Sequence, residues 1–223
     1  MNSNGYKLIV ETASEDVEYI ISEKNGNSPS TLYIQGPFLM ANEKNRNGRI
    51  YLLEQMAKEV ERYTNEMVTT KRSLGELNHP TSVEVNPERA CHIIESLEQQ
   101  GNVWMGRSKV LTNTPMGKIV SALILDNVKL GVSSRSLGKL KQMDGYNEVE
   151  DFKIIAVDVV HDPSVNTAFV NGIFEAKEWI LTDHGYIEPA YNTFTQKLNK
   201  LPNTSDTKAE YLITAVKQFL NSL

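Results

Sequence analysis

At 223 residues, 40% of them hydrophobic, the chain is long enough to bury a sizeable core as one domain of roughly 170 residues with appendages. A formal charge of −5 argues against a dedicated nucleic-acid binder, which would carry a basic stripe. One cysteine, Cys91, excludes an internal disulfide framework and fits a reducing compartment, while no run approaches the ~20 apolar residues that span a bilayer and the amino terminus lacks a signal pattern. A soluble, cytosolic protein without membrane contact is expected.

In chain order, short strands are predicted at 6–11, 17–22 and 32–38, the last two joined by the polar stretch 23–30. An amphipathic helix follows over about 51–67, where Leu53, Met56, Ala57, Val60, Tyr63, Thr64 and Met67 recur at helical spacing. Its polar face, Glu54, Lys58, Glu61 and Arg62, reads as solvated surface. Two further strands, 90–97 and 102–111, flank the polar turn Gln99-Gln100-Gly101 and suggest a hairpin. Thr114-Pro115 then forms an N-cap followed by proline at the first helical position, and Ile119, Val120, Leu123 and Ile124 supply a buried face.

The chemistry concentrates in the segments after each of these helices. Gly75-Glu76-Leu77-Asn78-His79-Pro80 sets a histidine among turn-forming residues, and Gly131-Val132-Ser133-Ser134-Arg135 sets serines in a β-favouring run that ends at Gly138. A serine hydroxyl is a poor nucleophile near pH 7, so it needs a neutral imidazole within hydrogen-bond reach and a third group to orient that imidazole. Phe152-Lys153-Ile154-Ile155-Ala156-Val157-Asp158-Val159-Val160 reads as a buried strand with one carboxylate out of place, and burying it implies a charged partner. Glu95 and Glu76 are rivals for that third position. Strand alternation puts Ser134 on the face opposite Ser133, and gives Arg135 the parity of Ser133. A regular strand there would bring the Arg135 guanidinium toward an oxyanion or a substrate carboxylate; surface exposure is the alternative.

Cys91 and His92 are adjacent and so face opposite sides of a strand, which disfavours them as a nucleophile and base, though Cys91 with His79 remains formally open. His79, His92, His161 and His184 show no HExxH or CxxC spacing, and neither metal nor organic cofactor is implied. No G-x-S-x-G elbow is present, which disfavours a general serine esterase. Toward the carboxy terminus, 192–206 reads as a linker. Thr207 and Glu210 make a capping box there, ahead of an apolar stripe at Leu212, Val216, Phe219, Leu220 and Leu223. The elements together indicate an α+β fold with a mainly antiparallel sheet.

Four ordered blocks carry a family resemblance over the region 32–169. They are Asn45-Arg46-Asn47-Gly48-Arg49-Ile50-Tyr51, the Gly-Glu-Leu-Asn-His-Pro block, the Gly-Val-Ser-Ser-Arg block, and Val157-Asp158-Val159-Val160 with Pro163-Ser164. The chain resembles the prohead core proteases of T-even-type tailed phages, enzymes similar in fold to herpesvirus assemblins. That resemblance implies an antiparallel β-barrel flanked by helices, with His79 as general base, Ser133 as nucleophile and Asp158 as third member. Arg135 and Ser134 are then placed at the substrate or oxyanion, and oxyanion donors are sought in 161–166. It also implies cleavage after glutamate of scaffold, core and major capsid proteins inside the prohead in the host cytoplasm, by a homo-oligomer. Ile173-Phe174-Glu175-Ala176 matches the cleavage pattern, so Glu175-Ala176 is the candidate self-cleavage site, whereas Ile93-Ile94-Glu95-Ser96 should be protected in its hairpin. The expected division is a protease domain over 1–175, a linker or propeptide over 176–206 and a terminal helix over 207–223. A glutamate subsite needs positive charge, for which Arg46, Arg49, Arg72 and Arg135 are candidates. The competing class is an inactive capsid-assembly or scaffold-binding protein on a protease fold.

Overall fold

The computed structural model of the chain describes residues 6–14, 17–21, 31–80, 82–161, 178–182 and 185–187. Strands dominate, because the chain is rich in short alternating runs that can each cover a core with one face. β1 (Tyr6–Ser14), β2 (Glu18–Ile21), β3 (Leu32–Met40), β4 (Arg49–Tyr51) and β5 (Leu74–Glu76) precede the hairpin of β6 (Ala90–Gln100) and β7 (Val103–Val110). A second hairpin joins β8 (Gly131–Met143) to β9 (Tyr146–Val160), with Met143 opposite Tyr146 and Gly145 at φ +80 in the turn between them. In β3 the alternation is nearly unbroken, with Leu32, Ile34, Gly36 and Phe38 turned inward.

One sheet has the order β1-β8-β9-β4, antiparallel except for the parallel β4–β9 pair, and the other has the order β2-β3-β7-β6-β5. Between them lies a core that includes Ile9, Ile34, Phe38, Ile94, Trp104, Val132, Val149 and Val157. The isolated parallel bridge Leu77↔Val159 links the two sheets. Closure of the strands into the barrel that the resemblance implies is not found among the described pairings.

α1 (Leu53–Tyr63) starts later and ends sooner than the sequence spacing predicts. Tyr51 is held in β4 because its hydroxyl donates to the buried Glu11 carboxylate, and the amide of Leu53 is capped by the Asn42 side chain at 3.0 Å. Beyond Tyr63 the chain widens into a π-helical turn, Thr64–Val68. α2 (Pro115–Leu125) begins as expected, the Thr114 hydroxyl accepting from the Gly117 amide and Pro115 leading the helix. Val120 and Ile124 face inward, while Ile119 is exposed. No helix among the described residues is long and apolar enough to cross a membrane.

A second compact unit begins at Glu178, within the stretch expected as a linker, and contains the antiparallel hairpin of β10 (Glu178–Thr182) and β11 (Gly185–Ile187). The self-cleavage candidate at Glu175-Ala176, residues 162–166, the expected linker 192–206 and the expected terminal helix lie outside the described residues.

The Asn45–Tyr51 block serves the first sheet. The Asn45 side chain accepts from the amides of Asn47 and Arg49, and Gly48 takes φ +71, so the turn delivers three donors to one carboxylate. Arg49 and the Tyr51 hydroxyl reach Glu11 Oε1 at 3.0 Å, and Asn47 Nδ2 of the side chain donates to Oε2 at 2.5 Å. Glu11 and Arg49 are both buried, so each depends on the other for charge compensation. Arg49→Met therefore removes about 3–5 kcal/mol of stability in urea denaturation, and adding Glu11→Gln recovers part of it; an Arg49→Met chain as stable as the parent would contradict this pairing.

Candidate active site

Asp158 lies near the end of β9 with no solvent exposure, so its carboxylate has to be satisfied from within. Three elements supply donors. The Glu76 amide donates to Oδ1 at 3.0 Å, Arg135 Nε donates to Oδ2 at 2.9 Å, and His79 Nδ1 lies 2.8 Å from the same Oδ2. Burial by itself would raise this carboxyl, but the His79 hydrogen bond, the Arg135 guanidinium and the Glu76 amide outweigh it and hold Asp158 below the usual carboxylate range. With Asp158 ionised, Nδ1 carries the proton and Nε2 of His79 is left as the basic nitrogen. Nε2 has no hydrogen-bond partner among the described residues.

The turn carrying His79 is short and sharply set. After β5 the amide of Asn78 donates to Val159 O at 2.8 Å, and Asn78 takes the left-handed φ +62 that asparagine tolerates better than most side chains. This places His79 beside the end of β9, and its side chain is 12% exposed.

Ser133 is the cross-strand partner of Asp158, so the two side chains share a face of the sheet. Its hydroxyl donates to Glu11 O on β1 at 2.9 Å, and the residue is 2% exposed. The structure thus gathers His79, Asp158 and Ser133 on one face, with the imidazole hydrogen-bonded to the carboxylate and the hydroxyl turned to a backbone carbonyl. Ser134 occupies the opposite face and lines a small cavity of about 30 Å³ with Glu11, Phe38, Met56 and Ser136.

Arg135 has the parity of Ser133, and among the described residues it meets internal acceptors. Its guanidinium is fully buried and donates to Glu76 Oε1 at 3.0 Å, to Ser82 O at 2.7 Å and to both Asp158 oxygens. Where an approach to an oxyanion or a substrate carboxylate is expected, its donors are here turned to internal acceptors. Glu95 is exposed on β6, away from this cluster, whereas Glu76 is buried within it as the partner of Arg135. Of the other arginines weighed for a glutamate subsite, Arg49 is buried against Glu11, while Arg46 and Arg72 are exposed. Sequence reasoning missed both the Glu76–Arg135 pair and Glu11 as the acceptor for Ser133. Strand parity aligns Arg135 with Ser133, and the Ser133–Asp158 register then brings Arg135 and Asp158 to a common face.

Cys91 and His92 point to opposite sides of β6. Burial pushes the Cys91 thiol up, so it stays protonated and unreactive in the core. His92 Nε2 is 2.8 Å from Val157 O, and Gly75 is required beside it, because a Cβ there would lie 2.1 Å from His92 Nε2 and 2.2 Å from Val157 O.

A family model described as prohead core protein serine protease matches residues 9–178. The prohead core protein protease of Enterobacteria phage T4 is 43% identical over 143 residues, which cover 62% of this chain and 68% of that protein. The solved structure of the bacteriophage T4 capsid assembly protease superposes with a TM-score of 0.64 at 38% identity, covering 70% of this chain and 99% of that one.

Burial lowers His92 to about 4 from an ordinary 6.5, so the folded chain binds fewer protons than the unfolded chain between those values. Stability is therefore full above about pH 6.5 and falls by roughly 3 kcal/mol as the pH drops toward 4. Urea melts at stepped pH should show this decline in the parent and a shallower one in His92→Gln, and equal slopes would refute the assignment. Gly75→Ala should cost about 1–3 kcal/mol in the same melts through overpacking against His92 and Val157.

Proposed function

The chain belongs to the family of prohead core protein serine proteases, and on that premise we propose that it is a serine endopeptidase that cleaves scaffold, core and capsid proteins after glutamate within the assembling phage capsid. The observation that carries the catalytic assignment is the His79–Asp158 hydrogen bond at 2.8 Å beside Ser133, the cross-strand partner of Asp158.

In this reading the Ser133 hydroxyl turns from Glu11 O toward His79 Nε2. Its proton passes to Nε2 as Oγ bonds to the scissile carbonyl carbon, and the carbonyl electron pair moves onto oxygen. The imidazolium, stabilised by the ionised Asp158, then protonates the leaving amine as the C–N bond breaks. Water then attacks the acyl carbon as it gives a proton to His79, and the imidazolium returns that proton to Ser133 Oγ as the C–Oγ bond breaks and the new carboxyl group leaves, while Asp158 stays ionised throughout. Ser134, facing the other side of β8, takes no direct part.

A subsite for glutamate requires a cation, and the exposed candidates are Arg46 and Arg72. Self-processing at Glu175-Ala176 follows from the match of Ile173-Phe174-Glu175-Ala176 to the expected cleavage pattern. The segment after it then acts as a propeptide, released inside the prohead.

The test is intact mass over time for the purified chain and for Ser133→Ala, each with and without scaffold protein. The parent should lose the segment after Glu175 and cut scaffold, and Ser133→Ala should do neither. Stable masses in both chains with scaffold present would replace this reading with that of an inactive assembly protein. Glu175→Gln should abolish release of the segment while leaving cleavage of added scaffold intact. Either Arg46→Ala or Arg72→Ala should lower the preference for Glu over Gln in peptide cleavage at least tenfold, and an unchanged preference in both removes these arginines from the subsite.

A further inference from the structure

Arg135 is the largest fully buried side chain among the described residues. It sits between two carboxylates that are themselves without exposure, Glu76 at 3.0 Å and Asp158 at 2.9 Å. Asp158 Oδ2 accepts from both His79 Nδ1 and Arg135 Nε, so the guanidinium and the imidazole draw on the same charge. An arginine that satisfied Asp158 alone would form a neutral pair and leave little negative charge for an imidazolium on His79. Glu76 changes that balance, since it draws the Arg135 guanidinium partly to itself, while its second carboxylate oxygen is paired from the outer side by Arg89 Nε at 3.0 Å.

We propose that Glu76 is a positioning residue for the reaction, and that by occupying one side of the Arg135 guanidinium it keeps Asp158 able to orient and charge-stabilise His79. This rests on the assignment of His79 as the base. Glu76 holds the geometry in two further ways. Its amide donates to Asp158 Oδ1, and its carboxylate accepts from the Asn86 amide at 3.0 Å, while Arg135 binds Ser82 O at 2.7 Å. The turn carrying His79 is therefore pinned on its far side by the same ion pair.

The other titratable groups packed around Asp158 are Tyr63 from α1 and Cys91 and His92 from β6. Burial keeps all three uncharged near neutrality, the first two by raising them and His92 by lowering it to about 4. Arg89 lies 3.0 Å from Glu76 Oε2, and although its side chain is 44% exposed the Nε that faces Glu76 is buried, so it compensates Glu76 from the side away from Arg135. Glu76 and Arg135, with Arg89 on the outer side of Glu76, are thus the charges set behind the His79–Asp158 pair.

The experiment compares the parent, E76Q, R135M and E76D. The first readout is the pH dependence of kcat/KM on a peptide containing Ile-Phe-Glu-Ala. The second is the pH midpoint of the His79 ring signals by NMR in the Ser133→Ala background. In E76Q the acid limb of kcat/KM and the ring midpoint should both move down by about one pH unit, with kcat reduced about tenfold. In R135M the ring midpoint should move up, and E76D, which keeps the charge, should stay close to the parent. Opposite displacements by two substitutions in one ion pair are not the result of general loosening, and if one variant fails to fold the other still decides by its direction. Midpoints unchanged in E76Q or R135M would overturn the proposal. Failure of every chain to cut the peptide would count against the endopeptidase reading alone, because the ring titration needs no turnover.

Discussion

The fold is organised around one carboxylate that should not be where it is. Asp158 stands in a run of β-branched and small residues that is buried on both faces, where an uncompensated charge would cost several kcal/mol. Its compensation comes from far along the chain: from β5 through the Glu76 amide, from the following turn through His79, and from β8 through Arg135. Those contacts tie the end of one sheet to the edge of the other at the point where Leu77 bridges to Val159. Loss of any partner would strand a buried charge, and so the constraint that stabilises this junction also fixes the position of the imidazole.

β8 separates this cluster from a second one. Ser133 and Arg135 face the His79 side, while Ser134 and Ser136 face the cavity that Glu11 lines. Glu11 is coordinated there by Asn47, Arg49 and Tyr51, and the Tyr51 hydroxyl is raised by burial and by the neighbouring carboxylate. The two clusters meet through backbone: the Glu11 side chain anchors β1 on one face, and its carbonyl accepts the Ser133 hydroxyl on the other. The block Asn45–Tyr51 acts on the serine only by holding the strand that carries this carbonyl.

Much of this was legible because local rules sufficed. Period-two alternation separated Ser133 from Ser134, the misplaced carboxylate marked Asp158, and Thr114-Pro115 marked the start of α2. What escaped depended on pairings between distant segments. Parity put Arg135 on the correct face but could not say that Glu76, 59 residues away, would meet it there. Glu76 was weighed as a rival to Asp158, whereas it is the partner of the arginine that Asp158 also binds. The spacing predicts a helix over about 51–67, whereas the demand of a buried Glu11 for a hydroxyl holds Tyr51 in β4 and the helix starts at Leu53. The length of β8 and β9 was hidden by the polar residues near their hairpin, although Asp144-Gly145 is a recognisable turn signal.

The position of the Ser133 hydroxyl has an energetic meaning for the proposed mechanism. A hydroxyl has one proton, so donation to Glu11 O excludes donation to His79 Nε2. The net worth of a neutral hydrogen bond is about 1 kcal/mol, which corresponds to a factor of roughly five in population. That is a shallow trap compared with the free energy a bound peptide strand can supply. His79 is already oriented by Asp158, and this larger cost is met by the fold itself, independent of substrate. In the proposed mechanism His79 is therefore preorganised by Asp158, and the Ser133 hydroxyl is held to Glu11 O by a bond weak enough for peptide binding to displace.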